Sequence, residues 1–318
     1  MSLTSGLVLP RTGRKIRNRM VLAAMTNKQS FDDGTLSDEE INWLLRRAEG
    51  GFGIITTAAS HVSQCGKSWE GEMGVWGDHQ LRKLTELASG IRQRGSIGLV
   101  QIFHGGLRAP RSLTSKQPVS ASINLEKGVE EESRELSDSE IENLIQDFGN
   151  AAKRCEQAGF EGVEIHGAHG YLISQFLGKK TNRRKDRWGG ELIDRSLFLR
   201  KIVECVRKNT SEEFLICVRI SPEHDVGITI DESLGLSELL VEMNIDILHI
   251  SCWDIFSSAS DDLDSKRTIT RRFSEILQNR IPLLTTGSIW NEEDGDFALS
   301  KGADLVGVAR VAIAHPDW

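Results

Sequence analysis

Residues 162–171 read GVEIHGAHGY. His166 and His169 stand three apart, and Tyr171, the only tyrosine of the chain, follows two residues later. An imidazole can donate a hydrogen bond, move a proton or ligate a metal, and a phenol with a pKa of about 10 keeps a proton it can lend. Packing can account for the same residues: two satisfied histidines at the end of a buried strand, and a tyrosine filling space beside them. A metal role is disfavoured, because no third histidine or carboxylate sits near the pair at ligand spacing.

The choice depends on what positions the stretch. Short apolar runs rich in β-branched residues recur at 21–25, 53–59, 97–103, 162–167, 215–221, 247–251, 282–288 and 305–310. Most are near-continuous rather than alternating, as strands buried on both faces are. Helical patterns lie between most of them. Ser37 and Ser137 each precede an acidic run with Glu three residues on, a capping-box signature, and the helices they start stop at Gly50 and Gly159. LRKLTELASGIRQRG, SLFLRKIVECVRKN, DESLGLSELLVEM and EDGDFALSKG supply further helices. Eight strand–helix units without a reversal of pattern fit a closed (β/α)₈ TIM barrel in one domain, 1–318, better than an open sheet. Two polar interruptions, at about 104–136 and 168–195, are too long for connectors and are expected to run over the barrel mouth. Residues 257–266 read as a mobile loop.

In such a barrel the chemistry gathers where strands end. The unusual residues of this chain fall there: Met25 and Thr26, Ala59, Gln101, His166, Arg219, Cys252 and Trp253, Gly287 and Ser288, Ala309 and Arg310. The last two pairs suggest phosphate binding. Gly287 lets backbone approach a ligand closely, and Arg310 adds a permanent forked charge. A plain turn remains the alternative.

The chain is 39% apolar and 27% charged, an ordinary balance for a soluble protein with a full core. A net charge of −7 and the lack of a long basic run argue against nucleic acid as a partner. The five cysteines, at 65, 155, 205, 217 and 252, form no C-x-x-C pair and read as reduced, mostly buried thiols. Neither a membrane span nor a signal-peptide pattern is evident, so a cytoplasmic protein is expected.

Taken in order, IRNRMVLAAMT, RAEGGFGIITTAA, VQIFHGG, GFEGVEIHGAHGYLISQFL with NRRKDRWGG, VRISPE, LHIS, TTGSI and DLVGVARVAIAHPDW resemble the old yellow enzyme family of FMN-dependent NADH/NADPH:flavin oxidoreductases and ene-reductases, over nearly the full length. The resemblance implies a TIM barrel with noncovalent FMN at its mouth, NADH or NADPH as reductant, a small electrophilic substrate and a homodimer. It places Ala23, Ala24 and Met25 along the flavin ring, Thr26 and Ala59 by its O4 edge, Gln101 at the pyrimidine end and Arg219 by N1 and O2. Gly287, Ser288, Ala309 and Arg310 would hold the phosphate; His166 and His169 would grip a carbonyl oxygen, and Tyr171 would donate the proton.

The chain departs from the family pattern at several positions. Ala24 replaces a proline, Ala58 a glutamate, Leu107 an arginine, Gly178 and Lys179 a Ser-Pro, Trp188 a tyrosine, and Ser288 and Ala309 glycines. A divergent branch follows, and the substrate is left open. The missing cysteine cluster disfavours the iron–sulfur branch of the family. Competing readings are a flavoprotein with oxygen or another acceptor, a flavin scaffold without turnover, and a cofactor-free phosphate-binding lyase or isomerase.

Overall fold

The computed structural model describes residues 1–126, 129, 131–262 and 267–318. The eight apolar runs form a parallel barrel: β1 Met20–Leu22, β2 Ile54–Thr56, β3 Ile97–Phe103, β4 Gly162–Gly167, β5 Leu215–Ile220, β6 Ile247–Ser251, β7 Leu283–Thr286 and β8 Leu305–Val308. Each pairs with the next, and β8 closes on β1 through Val306 opposite Met20. Every residue of β2 to β5, β7 and β8 is buried, which is why those strands read as continuous apolar runs. Several strands are shorter than their sequence signal. The β1 ladder stops at Leu22, and Ala23 makes one further bond, to the Val308 carbonyl, before the chain turns out over the mouth.

The bottom of the barrel is plugged. An antiparallel pair, Leu7–Val8 with Lys15–Ile16, brings Leu9 and Ile16 into one cluster with Val21, Ile54, Ile97, Leu215, Ile247, Leu284 and Leu305. Seven longer helices cover the outside: α1 Asp38–Glu49, α2 Leu81–Gln93, α3 Asp138–Ala158, α4 Leu197–Asn209, α5 Ile230–Glu242, α6 Ile269–Leu277 and α7 Glu292–Ser300. The sequence patterns missed α6. Its apolar positions 269, 273, 276 and 277 form a single stripe, and 269, 273 and 277 are buried. The two capping boxes differ. At α3 the box is complete, with Ser137 and Glu140 exchanging hydrogen bonds. At α1 Ser37 caps the helix, but Glu40 turns away and accepts from Asn27 (2.9 Å) and Ser30 (2.5 Å), tying the loop after β1 to the helix.

Within the 168–195 excursion the basic run is part of the structure. Arg184 is buried, donates to the Ala121 and Leu136 carbonyls and pairs with Asp186. Arg187 pairs with Asp138 and Glu142. Trp188 is fully buried and donates to Asp138 (2.7 Å). These bonds pin one excursion to the other and to the start of α3. In the stretch expected to be mobile, residues 263–266 lie outside the described residues. Ser260 is tied to Glu223, and Ser258 bridges to Thr268. No helix among the described residues is long and apolar enough to cross a membrane, and the five cysteines are free, four of them buried.

Candidate active site

A cavity of about 800 Å³ opens at the C-terminal ends of the strands. Of the residues singled out from sequence, Leu107, His169, Arg219, Cys252, Trp253, Gly287, Ser288, Ala309 and Arg310 line it. The others do not line it. Ala23, Ala59, Gln101 and His166 are buried, Ala24, Met25 and Tyr171 half-buried, and Thr26 exposed.

One end is made by β7 and β8. Gly287 has φ +141°, and a Cβ there would stand 2.4 Å from the Cys252 carbonyl oxygen. Only glycine allows this backbone approach. Ser288 follows in the left-handed region and donates to the Trp253 carbonyl (3.0 Å). The Arg310 guanidinium lies 4.8 Å from the centre of the Trp290 ring. Trp253 itself is 90% exposed at the cavity rim, so it belongs to the pocket wall and not to the core.

Arg219, from β5, occupies the middle. It is buried, donates to Ser251 (3.0 Å), and its Nε is buried without a partner. Burial lowers its affinity for the proton, and the nearby Glu164 opposes that effect.

His169 and Gly170 of the opening stretch form the other end, with His166 and Tyr171 packed behind them. The His166 and His169 rings stand 5.0 Å apart and nearly perpendicular. His169 takes the left-handed backbone (φ +63°), with its N–H donating to Ser221 (3.0 Å). Its Nε2 lies 2.7 Å from Ser251 Oγ. Ser251 accepts from Arg219 and keeps a proton it can donate to His169 Nε2; with Ser251 as donor the imidazole proton sits on Nδ1. His166 Nδ1 accepts weakly from Ala168 N–H (3.4 Å), which leaves its proton on Nε2. Each ring therefore keeps one N–H to offer. Tyr171 lies 5.1 Å from His166 and edge-on to Phe103, with Arg108 over its face at 5.5 Å. Burial raises the Tyr171 phenol above its usual value, more than Arg108 lowers it, so the proton stays on.

Sequence reasoning pointed to His104, at the end of the third strand, as a support for the loop that follows, and missed the other residues that hold these groups in place. Arg108 donates to the His169 carbonyl (2.6 Å) and pairs with Glu126, so the 104–136 excursion braces the histidine loop. His104 is buried, and its Nδ1 accepts from Gly106 N–H (3.0 Å), shaping the start of that excursion. Beneath the mouth, Glu164, Cys217 and His249 bring their polar atoms within 4.8 Å of one another, a grouping that could hold a metal ion. In this structure they hydrogen-bond to one another. The signal was present: Glu164 and His166 are polar residues two apart in an apolar strand, and so on the same face of it.

Burial pushes the His166 imidazole well below its usual value, that of His169 down to about 2 and that of His104 down to about 4. An imidazole with a folded value below the unfolded one, about 6.5, takes its proton more readily when unfolded. The stability it lends is complete above that pH and drains away as pH falls toward the folded value. Glu72, Glu40, Asp147 and Asp304, whose carboxyls burial raises, work in the opposite sense, but they face six lowered imidazoles, the three above with His61, His224 and His249. Thermal melts of the ligand-free protein are therefore expected to show a falling midpoint from about pH 7 to about pH 5. A flat or rising midpoint would contradict the neutral, buried state of these rings.

The model of the NADH:flavin oxidoreductase / NADH oxidase family matches residues 12–318. The chain belongs to this family. Among its relatives is the Bacillus subtilis (strain 168) protein named "Probable NADH-dependent flavin oxidoreductase YqiG", 37% identical over 314 residues, with 97% of this chain and 84% of that protein covered. NADH:acrylate oxidoreductase of Vibrio harveyi is 32% identical over 318 residues, and this chain spans only 32% of its length. Among solved structures, the old yellow enzyme homologue of Zymomonas mobilis superposes with a TM-score of 0.89 at 25% identity, covering 100% of this chain and 91% of that one. The closed eight-stranded barrel is thus the old yellow enzyme barrel, and the chain is an oxidoreductase of the family.

Proposed function

We propose that this member of the NADH:flavin oxidoreductase family binds FMN noncovalently and reduces α,β-unsaturated carbonyls or related electrophiles with NADH or NADPH. The observation that carries the reading is the layout of one cavity, with a glycine-shaped cradle at one end, Arg219 in the middle and His169 at the other. The residues suit FMN. The partnerless Arg219 Nε needs an acceptor, which the N1 and O2 edge of an isoalloxazine offers. At the β7 and β8 end, the glycine-only turn at Gly287 draws the loops after β6 and β7 together in the cavity wall shared with Arg310, whose charge suits a phosphate. Gln101, Thr26 and the 23–25 and 59 positions would complete the ring site, with Ser288, Ala309 and Arg310 at the phosphate.

When bound, FMN supplies a two-electron carrier that accepts hydride from the nicotinamide and passes it to the β-carbon of the alkene. The residues of this chain do the rest. His166 and His169, each neutral with one N–H, hydrogen-bond the substrate carbonyl oxygen and stabilise the negative charge that builds there. Tyr171 holds the proton needed at the α-carbon, and Arg108 fixes its ring. Arg219 places a fixed positive charge beside the pyrimidine edge.

Phenol titration tests the histidine pair. A phenolate held by the two N–H groups over oxidised flavin is expected to give a long-wavelength charge-transfer band, and His166→Ala should weaken phenol binding by at least about tenfold, the loss of a charge-assisted hydrogen bond. An unchanged titration in His166→Ala would remove His166 from the site.

A further inference from the structure

A polar layer crosses the barrel at the level of Gln101 and Arg219, two of the residues proposed to meet the flavin ring. Glu164 of β4 is fully buried. Its Oε1 accepts from Gln101 Nε2 (2.7 Å), and its Oε2 accepts from His249 Nδ1 (2.6 Å) and Cys217 Sγ (3.4 Å). Thr286 Oγ1 in turn lies 3.2 Å from His249 Nε2. The layer thus joins β3, β4, β5, β6 and β7, with Gln101 in register with Glu164 and Arg219 with His249. Nothing in the proposed chemistry above uses Glu164, His249 or Cys217.

A barrel interior can be filled with apolar side chains, and burying an ion is costly unless donors surround it. Here the donors are present, and they come from the elements that build the mouth. Burial alone would raise the Glu164 carboxyl, but His249, Arg219 and Gln101 more than reverse that and bring it down to about 2, so it is an anion. An anionic carboxylate only accepts hydrogen bonds. It therefore dictates which way the Gln101 amide faces: the NH₂ turns to Glu164, and the carbonyl oxygen is directed elsewhere. The same anion sits in electrostatic contact with Arg219, whose Nε has no acceptor.

Resting on the FMN reading, we infer that Glu164 is a positioning residue for the flavin. It fixes the Gln101 amide so that its oxygen is offered to the imide N–H of the pyrimidine. Its buried negative charge, partly offset by His249, also limits how far Arg219 stabilises the reduced, anionic flavin. Glu164 acts through Gln101 and Arg219 and needs no contact with FMN.

The test measures the affinities of holoprotein for oxidised and for reduced FMN, with the midpoint potential that their ratio sets. In Glu164→Gln the buried charge is gone and Gln101 is free to turn. Affinity for oxidised FMN is expected to fall, while the reduced-to-oxidised affinity ratio rises about tenfold, an upward shift of about 30 mV for a two-electron couple. In His249→Leu the carboxylate loses its strongest donor and burial raises it toward protonation, so the ratio should move the same way by a smaller amount. This second variant keeps the inference testable if Glu164→Gln does not fold. A merely structural layer would loosen both flavin forms equally and leave the ratio at the wild-type value in both variants, which would overturn the inference and leave the FMN reading standing. A wild-type protein that takes up no FMN overturns both.

Discussion

Arg219→Met is expected to weaken FMN binding by roughly 10- to 100-fold, the equivalent of the ~1.5–3 kcal/mol that a hydrogen bond to a charged group contributes, with the reduced form affected more than the oxidised. Arg219 is buried on β5, holds Ser251, and keeps one nitrogen without a partner. In the flavin-free protein that nitrogen is a liability, because a desolvated donor without an acceptor costs stability. The substitution removes that liability but also the charge facing buried Glu164 and the bond to Ser251, so the apoprotein is expected to melt at or modestly below the wild-type temperature, while the stabilisation that FMN confers on the wild type is lost. Equilibrium dialysis and paired melts with and without FMN measure both effects. An apoprotein strongly destabilised with flavin affinity intact would mean that Arg219 is a structural ion-pair residue and faces no cofactor.

Gly287→Ala is expected to destabilise the protein by about 2–4 kcal/mol, from a non-glycine residue forced into a glycine-only conformation and a clash against backbone. The φ of +141° disfavours any side chain, and the added Cβ would meet the Cys252 carbonyl oxygen at 2.4 Å. A carbonyl cannot rotate away as a side chain can, so the loops after β6 and β7 must separate. Those loops also carry Trp253 and Ser288, whose hydrogen bond would break. Denaturant unfolding reads the stability, and retention of FMN through gel filtration reads the site. Wild-type stability together with wild-type FMN retention would show that the close approach of these loops is not required.

The barrel was legible because burial on both faces leaves a continuous apolar run, and each of the eight runs became a strand. The ends of the strands were less so. Ala24 and Met25 carry the same apolar signal as β1 but follow it out of the ladder, after Ala23 makes its one bond to Val308, the last residue of β8. Helix α6 was overlooked because its nine residues follow a polar stretch and carry only one apolar stripe. The candidate site divides in a similar way. His166, His169 and Tyr171 lie close in sequence and were visible together. The Glu164–His249 bond spans 85 residues, and only the closed barrel brings its partners face to face. Arg184 shows the reverse case: arginines mostly stay exposed, yet this one lies inside the protein, where backbone carbonyls from the other excursion accept from it.

The central claim is that Arg219, the Gly287 cradle and the histidine pair enclose one flavin. It is tested most directly by the absorption spectrum of the protein reconstituted with FMN and desalted, followed by anaerobic addition of NADH or NADPH. Retained flavin absorption at about one FMN per chain, bleached by at least one of the two nicotinamides and restored by an enone such as cyclohexenone, is the result the account predicts. A colourless protein after desalting, or bound flavin that neither nicotinamide bleaches, would contradict it.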